Sequence, residues 1–235
     1  MIPIRDDAPR YTTPYINYFL LALNCVVFLF TWLSGPREAP QIVNIYGMIP
    51  AQTTGFLHGI HGAPAITAFV PILTSMFLHA SWMHLIFNMW ALYIFGDNIE
   101  DYLGHFRYLL FYLICGLAAA ALHILMNPNS TVPSVGASGA IAGVMGAYFI
   151  LYPSARVLTL VPFFFIFFIH LPAWVVLGFW FLGQFLSGAA TAIATSSQTQ
   201  SGGIAFWAHV GGFVAGVAII KLFPTRPRRY RYFYR

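Results

Sequence analysis

Residues 136–153 read Gly136-Ala-Ser-Gly-Ala-Ile-Ala-Gly-Val-Met-Gly-Ala-Tyr-Phe-Ile-Leu-Tyr-Pro153, with no charge anywhere in the run. The stretch lies inside a longer charge-free interval between Arg107 and Arg156. A membrane span needs about 20 mostly apolar residues. The interval therefore holds two spans, divided by the polar loop Asn127-Pro-Asn-Ser-Thr-Val-Pro-Ser134. The same rule extends outward to the intervals Arg10–Arg37, Glu38–Asp97 and Arg156–Lys221. The first holds one span, and the last holds two, split by the small polar stretch from Thr195 to Gly203. In the Glu38–Asp97 interval, Ala39 to Pro71 is rich in Gly and Pro and interrupted by Asn44, Gln52, His58 and His61. It reads as a long, partly membrane-associated loop, followed by a span from about Leu73 to Phe95.

The expected fold is all-α, a polytopic membrane helix bundle with six transmembrane helices near residues 15–34, 73–95, 107–126, 136–153, 171–190 and 204–223. Residues 1–14 form a short cytoplasmic N-terminus, 15–223 one membrane-embedded domain with its first loop near 35–72, and 224–235 a basic cytoplasmic tail. Composition agrees. Hydrophobic residues make up 59% of the chain and charged residues 7%, against about 25% charged in a soluble domain. That excludes a water-facing globule. Asp6 and Asp7 beside the N-terminal basic residues, and the long apolar run from Asn17 to Leu33, favour a first span over a cleaved signal. Cys25 and Cys115 sit in apolar runs without metal-ligand spacing or a disulfide framework, and read as small buried hydrophobes.

Lys and Arg set the orientation. The C-terminal end carries Lys221, Arg226, Arg228, Arg229, Arg231 and Arg235, and the N-terminus Arg5 and Arg10. Six spans put both ends on one side, which the basic residues make cytoplasmic. The tail suits an anionic leaflet; no nucleic-acid partner is expected.

Polar side chains within spans mark function or helix packing. The second span holds His79, His84 and Asn88; the fourth opens with Gly136-Ala-Ser-Gly-Ala-Ile-Ala-Gly143; the sixth holds Ala208-His-Val-Gly-Gly-Phe-Val-Ala-Gly216. These spans all start at the outer face. At about 1.5 Å per residue, Ser138, His209 and His79 lie at similar depth and His84 somewhat deeper. A serine hydroxyl is a weak nucleophile until a base takes its proton, and a general base must start neutral. His209 is the candidate base for Ser138. No Asp or Glu falls within an expected span, so the arrangement is a Ser–His dyad rather than a triad. His84 and Asn88 share a helix face. As two donors they suit an oxyanion hole, completed by N–H groups at the helix start near Ser138. Gly139 with Gly143, and Gly212 with Gly216, are small-xxx-small steps that let the fourth and sixth spans pack closely. His79 and His84 lack an acid or thiolate neighbour, so no metal and no cofactor is expected. His58, His61, His105, His123 and His170 show no visible partner, and Gln184 reads as a packing contact in the fifth span. Asn129-Ser-Thr131 matches a glycosylation acceptor but sits very close to the membrane.

Three motifs, in order and on the right helices, resemble the rhomboid family of intramembrane serine proteases: His84-x-x-x-Asn88, Gly136-x-Ser138-Gly139 and Ala208-His209-x-x-Gly212-x-x-x-Gly216. The resemblance covers nearly the whole chain. It is not the Gly-x-Ser-x-Gly elbow of soluble hydrolases, since position 140 is Ala. Leu92 to Asp101 also looks like the family's second span running into its cytoplasmic loop. The resemblance implies a serine endopeptidase that cleaves transmembrane-helix protein substrates in or near their spans. Ser138 would attack, His209 would act as base and then acid, and His84, Asn88 and backbone groups would hold the oxyanion. It also implies a first loop packed beside the bundle, and a fifth span that gates lateral substrate entry. The expected location is a bacterial plasma membrane, with the site opening outward.

The chain departs from the family in places. Phe69-Val-Pro71 stands where many members carry Trp-Arg, and Tyr102 where some carry Arg. Ala142 stands where some place an aromatic against the histidine, so His209 must be held otherwise. A non-catalytic relative that binds and escorts membrane proteins is expected to have lost Ser138 or His209, and both are present. A transporter commonly carries carboxylates or positive rings within its spans, and the expected spans contain none.

Overall fold

Proline marks where the early helices begin. The computed structural model describes residues 1–60, 64–163, 165–194 and 205–223. In it, α1 (Tyr15–Leu33) follows Pro14, α2 (Gly35–Tyr46) has Pro36 in its first turn, α3 (Pro50–Leu57) starts on a proline, and α4 (Ala65–Thr74) follows Pro64. A proline at a helix start gives up an N–H that has no intrahelical partner anyway. The stretch Ala39–Pro71, expected as a loop, is largely helical in short pieces: Pro50 and Pro64 stand at helix starts, and Pro40 and Pro71 lie inside α2 and α4. This region is anchored without a Trp-Arg pair. Thr53 Oγ1 donates to the Ala68 carbonyl (2.9 Å), Thr74 Oγ1 to the Tyr46 carbonyl (2.7 Å), and the Phe56 and Phe69 rings meet edge to face.

The second expected span is broken. After α4 and a 3-10 turn at Ser75–Phe77 the chain pauses, and α5 (Trp82–Leu103) leaves at 74° to the preceding segment. Ser81 restarts the helix by accepting the His84 N–H on its hydroxyl oxygen (3.2 Å). The helix then runs past Phe95 to Leu103, so Leu92 to Asp101 is helical throughout rather than entering a loop. Gly104, at a φ of 82°, makes the reversal into α6 (His105–Met126). The remaining helices are α7 (Ser138–Leu151), α8 (Ala173–Ala194) and α9 (Phe206–Ile219), the last extended by a 3-10 turn at Ile220–Leu222. Among the described residues, helices α1, α6 and α8 are long and apolar enough to cross a membrane, and the bent α4–α5 pair is so when taken together, as a broken span or a re-entrant loop; α7 and α9 are shorter apolar helices. Together these make the six-helix membrane bundle. The stretch Thr195 to Gly203, His61 and the 224–235 tail lie outside the described residues.

A small antiparallel sheet joins the bundle in the order β1 (Ile2–Asp6), β2 (Arg156–Phe163), β3 (Phe165–Pro172). Ile2 faces Leu160, Asp6 faces Val157, and Val157 faces Leu171 on the other side. Sequence alone gives residues 1–14 as a short N-terminal segment and the residues between 153 and 171 as a connection. An apolar run of this length has no periodicity that separates strand from buried helix, and its Val, Ile and Phe content suits a pleated surface. The Tyr148 hydroxyl of α7 donates to the Asp6 carboxylate and ties the sheet to that helix, while between β1 and β2 the Arg156 N–H donates to Asp7 Oδ1 (2.7 Å).

Two contacts fix the helices that frame the site. Glu100 is fully buried near the end of α5 and accepts the Ile16 and Asn17 N–H groups (3.0 and 2.7 Å) at the start of α1. It thereby satisfies donors that any helix start leaves unpaired. His105, expected to be without a partner, holds the same carboxylate through Nδ1 (2.5 Å). Between α7 and α9 the backbones touch. A Cβ added at Gly212 would collide with the Gly139 carbonyl oxygen, and one at Gly216 with that of Gly143.

Candidate active site

Loop geometry ahead of α7 brings the first pair of residues together. Met48 and Ser134 exchange backbone hydrogen bonds (3.0 and 2.8 Å), and the Gly136 N–H donates to the Ser75 carbonyl (2.9 Å). Gly136 has a φ of 135°, and a Cβ there would lie 2.7 Å from His84 Nε2. Backbone conformation and the neighbouring imidazole thus both require glycine at this position. Ser138 is the first residue of α7. The first described helical bond beyond it runs from the Ile141 N–H to the Ala137 carbonyl (3.0 Å). The N–H groups of Ser138, Gly139 and Ala140 come earlier, at the positive end of the helix dipole.

His209 meets Ser138 from α9. Its imidazole is 8% exposed, with Nε2 2.7 Å from Ser138 Oγ and Nδ1 2.6 Å from Gln184 Oε1. An amide oxygen can only accept, so the Nδ1–H must donate to it. Nε2 is then left with a lone pair to accept the Ser138 hydroxyl. The Trp180 ring lies 5.7 Å from the imidazole, centroid to centroid, tilted by 39°. Ala142 leaves the α7 side of His209 without an aromatic. Trp180 and Gln184, four residues apart and so on one face of α8, supply the contact from the other side. From sequence alone Gln184 reads as a packing contact. The available signal was an amide in an otherwise apolar span, but its partner depends on how α8 is rotated.

On α5, the His84 ring meets the buried His79 ring edge-on at 5.1 Å. Asn88, one turn further, is 7% exposed, and its Nδ2 finds no hydrogen-bond partner among the described residues. A cavity of about 30 Å³ adjoins Ser138, lined also by Met48, Ser75, Gly136, Gly139 and Ala208. One water needs roughly 10–15 Å³ of such space, so the cavity has room for at least one beside the hydroxyl. Of the other histidines, His58 follows α3, His123 is in the last turn of α6, whose Leu122 packs against Gly211 of α9, and His170 is in β3.

Comparison with known proteins gives consistent matches. A family model described as the Rhomboid domain covers residues 67–226. RHOMBOID-like protein 6, mitochondrial, from Arabidopsis thaliana is 37% identical over 142 residues, 56% of this chain and 45% of that protein. Rhomboid-like protein 11, chloroplastic, from the same plant is 33% identical over 183 residues, 73% of this chain and 57% of that protein. Rhomboid protease GluP of Bacillus subtilis is 30% identical over 134 residues, 57% of this chain and 24% of that protein. The chain thus spans about half the length of the plant relatives and about a quarter of the bacterial one.

Proposed function

Since the chain belongs to the rhomboid family, we propose that it is an intramembrane serine endopeptidase that cleaves transmembrane segments with Ser138 as nucleophile and His209 as base. The observation that carries this reading is the 2.7 Å hydrogen bond between Ser138 Oγ and His209 Nε2, made by residues 71 apart in sequence. The name of the bacterial relative, a rhomboid protease, points the same way.

In the proposed reaction Ser138 Oγ adds to the scissile carbonyl carbon while Nε2 takes the hydroxyl proton. The carbonyl oxygen becomes an oxyanion, held by His84, by Asn88 Nδ2 and by the N–H groups at the start of α7. His209 gives its proton to the amide nitrogen, the C–N bond breaks, and the amine fragment leaves an ester on Ser138. Water then loses a proton to Nε2 and attacks the ester. Return of that proton to Oγ frees the serine and a new carboxyl end. The water-sized cavity beside Ser138 supports the second half of this cycle. Gly136, Gly139, Gly143, Gly212 and Gly216 support the site by allowing the close approaches described above. Basic residues at both ends argue for cytoplasmic termini. In that orientation the site opens outward; the relatives' names point to bacterial, mitochondrial and chloroplast membranes alike.

The test is cleavage of a tagged single-span protein by the reconstituted chain, with fluorophosphonate labelling alongside. Wild type is expected to cut the substrate and to be labelled on Ser138, and Ser138→Ala to do neither. Wild-type protein that is neither labelled nor active would instead favour a non-catalytic membrane-protein binder.

A further inference from the structure

The hydrogen bond between His209 Nδ1 and Gln184 Oε1, at 2.6 Å, uses the one ring nitrogen that the proposed chemistry leaves idle. We propose that Gln184 is a positioning residue of this site: its amide oxygen accepts the Nδ1–H, keeps the lone pair on Nε2 facing Ser138, and thereby makes the competence of the base depend on where α8 sits. The proposal rests on the Ser138–His209 reading and extends it from two residues to three, the third contributed by a different helix.

Several observations converge on α8 as the holder of the imidazole. In a neutral imidazole one nitrogen carries the proton, and the partner of the other nitrogen decides which. A ring with its proton on Nε2 would present a donor to the serine hydroxyl and could not take its proton. Among the contacts described, Gln184 fixes this choice, and Trp180 one turn earlier lies beside the ring. The Trp180–Gln184 face is continued by Phe181, which stacks on Phe213 of α9 at 4.6 Å. The opposite side of α8 is apolar and exposed at Phe179, Leu182 and Leu186. The helix is therefore peripheral, attached along the face that reaches His209. A displacement of α8 away from α9 would withdraw both the amide and the indole, leaving the imidazole free to turn or change tautomer.

The test uses the full chain, reconstituted and labelled with a fluorophosphonate, together with substrate turnover and ¹⁵N spectroscopy of His209. Wild type is expected to react at Ser138 with the His209 proton on Nδ1. Gln184→Met, similar in length but without the acceptor, should lower kcat and the labelling rate by about 10- to 100-fold, the range found when a metal-bound histidine loses its orienting partner. KM should be little changed, and Nε2–H should appear in the spectrum. Gln184→Glu, which restores an acceptor at the same reach, should recover most of the lost rate. Reactive wild type with the proton on Nε2, or Gln184→Met equal to wild type in rate and tautomer, overturns the role of Gln184 and leaves the dyad standing. The wild-type spectrum decides the matter even if the methionine variant does not fold. Wild type that is not labelled at Ser138 brings down the dyad reading, and this proposal with it.

Discussion

Asn88 holds a buried amide nitrogen with no acceptor in reach among the described residues. Leaving such a donor unpaired costs about 1–3 kcal/mol. Under the proposed mechanism that cost is offset when an oxyanion arrives. Asn88→Ala should therefore separate activity from stability. Removal of one oxyanion donor is expected to lower kcat by roughly 100- to 1,000-fold, about 2.7–4 kcal/mol. The unfolding temperature should hold, because no native hydrogen bond of Nδ2 is lost. Parallel turnover and thermal unfolding measurements check both halves, and an unchanged rate removes Asn88 from the site. At this scale the sequence was informative wherever a polar side chain interrupted an apolar run. Ser138, His209, His84 and Asn88 all stood out on that ground. Gln184 gave the same signal, but a lone amide says nothing of its partner until the facing helix is known.

The α7–α9 contact is expected to be the least forgiving among the elements. A methyl group at Gly212 meets the Gly139 carbonyl, which is backbone and cannot rotate away. Overpacking of this kind costs typically about 1–3 kcal/mol. Gly212→Ala should lower the unfolding temperature and also suppress labelling of Ser138, because the spacing of these helices sets the Ser138–His209 distance. Gly183→Ala serves as the control. Nothing lies within 4 Å of its added Cβ, and alanine favours a helix over glycine by about 0.8–1 kcal/mol.

The sheet supplies a pH-dependent contact. Burial pushes the Asp6 carboxyl above its ordinary range, against the lowering effect of the Tyr148 hydroxyl. A raised native value means the folded chain binds this proton more tightly than the unfolded chain does. The contribution is thus fully present below the ordinary Asp value and is lost as pH rises through the raised native one. Asp6→Asn should flatten that dependence in unfolding measured across pH. Element boundaries were only partly legible in the sequence. The α1 and α6 spans follow from gaps between charges. The break before α5 turns on a single capping serine, and the helices of the first loop begin at prolines that read as breakers. The β2–β3 hairpin comes from an aromatic run that fits two conformations equally well.

Across the whole molecule, span lengths set where chemistry is possible. Helix α7 has 14 residues, or about 21 Å at 1.5 Å per residue, against a hydrocarbon thickness of about 30 Å. With its Leu151 end level with the membrane surface, its first residue, Ser138, would start within the apolar depth. Irregular backbone such as Val135–Ala137 is tolerated there only when buried in protein or lining water. The six-helix arrangement was legible from charge spacing and composition. This recess was not, because it depends on where a short helix begins relative to its longer neighbours. The buried Glu100 carries a consequence for biogenesis. It lies 84 residues downstream of Ile16, the donor it serves at the start of α1. A ribosome delivers α1 to the bilayer before it has made that carboxylate. Helix α1 thus waits, amide hydrogens unanswered, for a later part of the nascent chain to reach it.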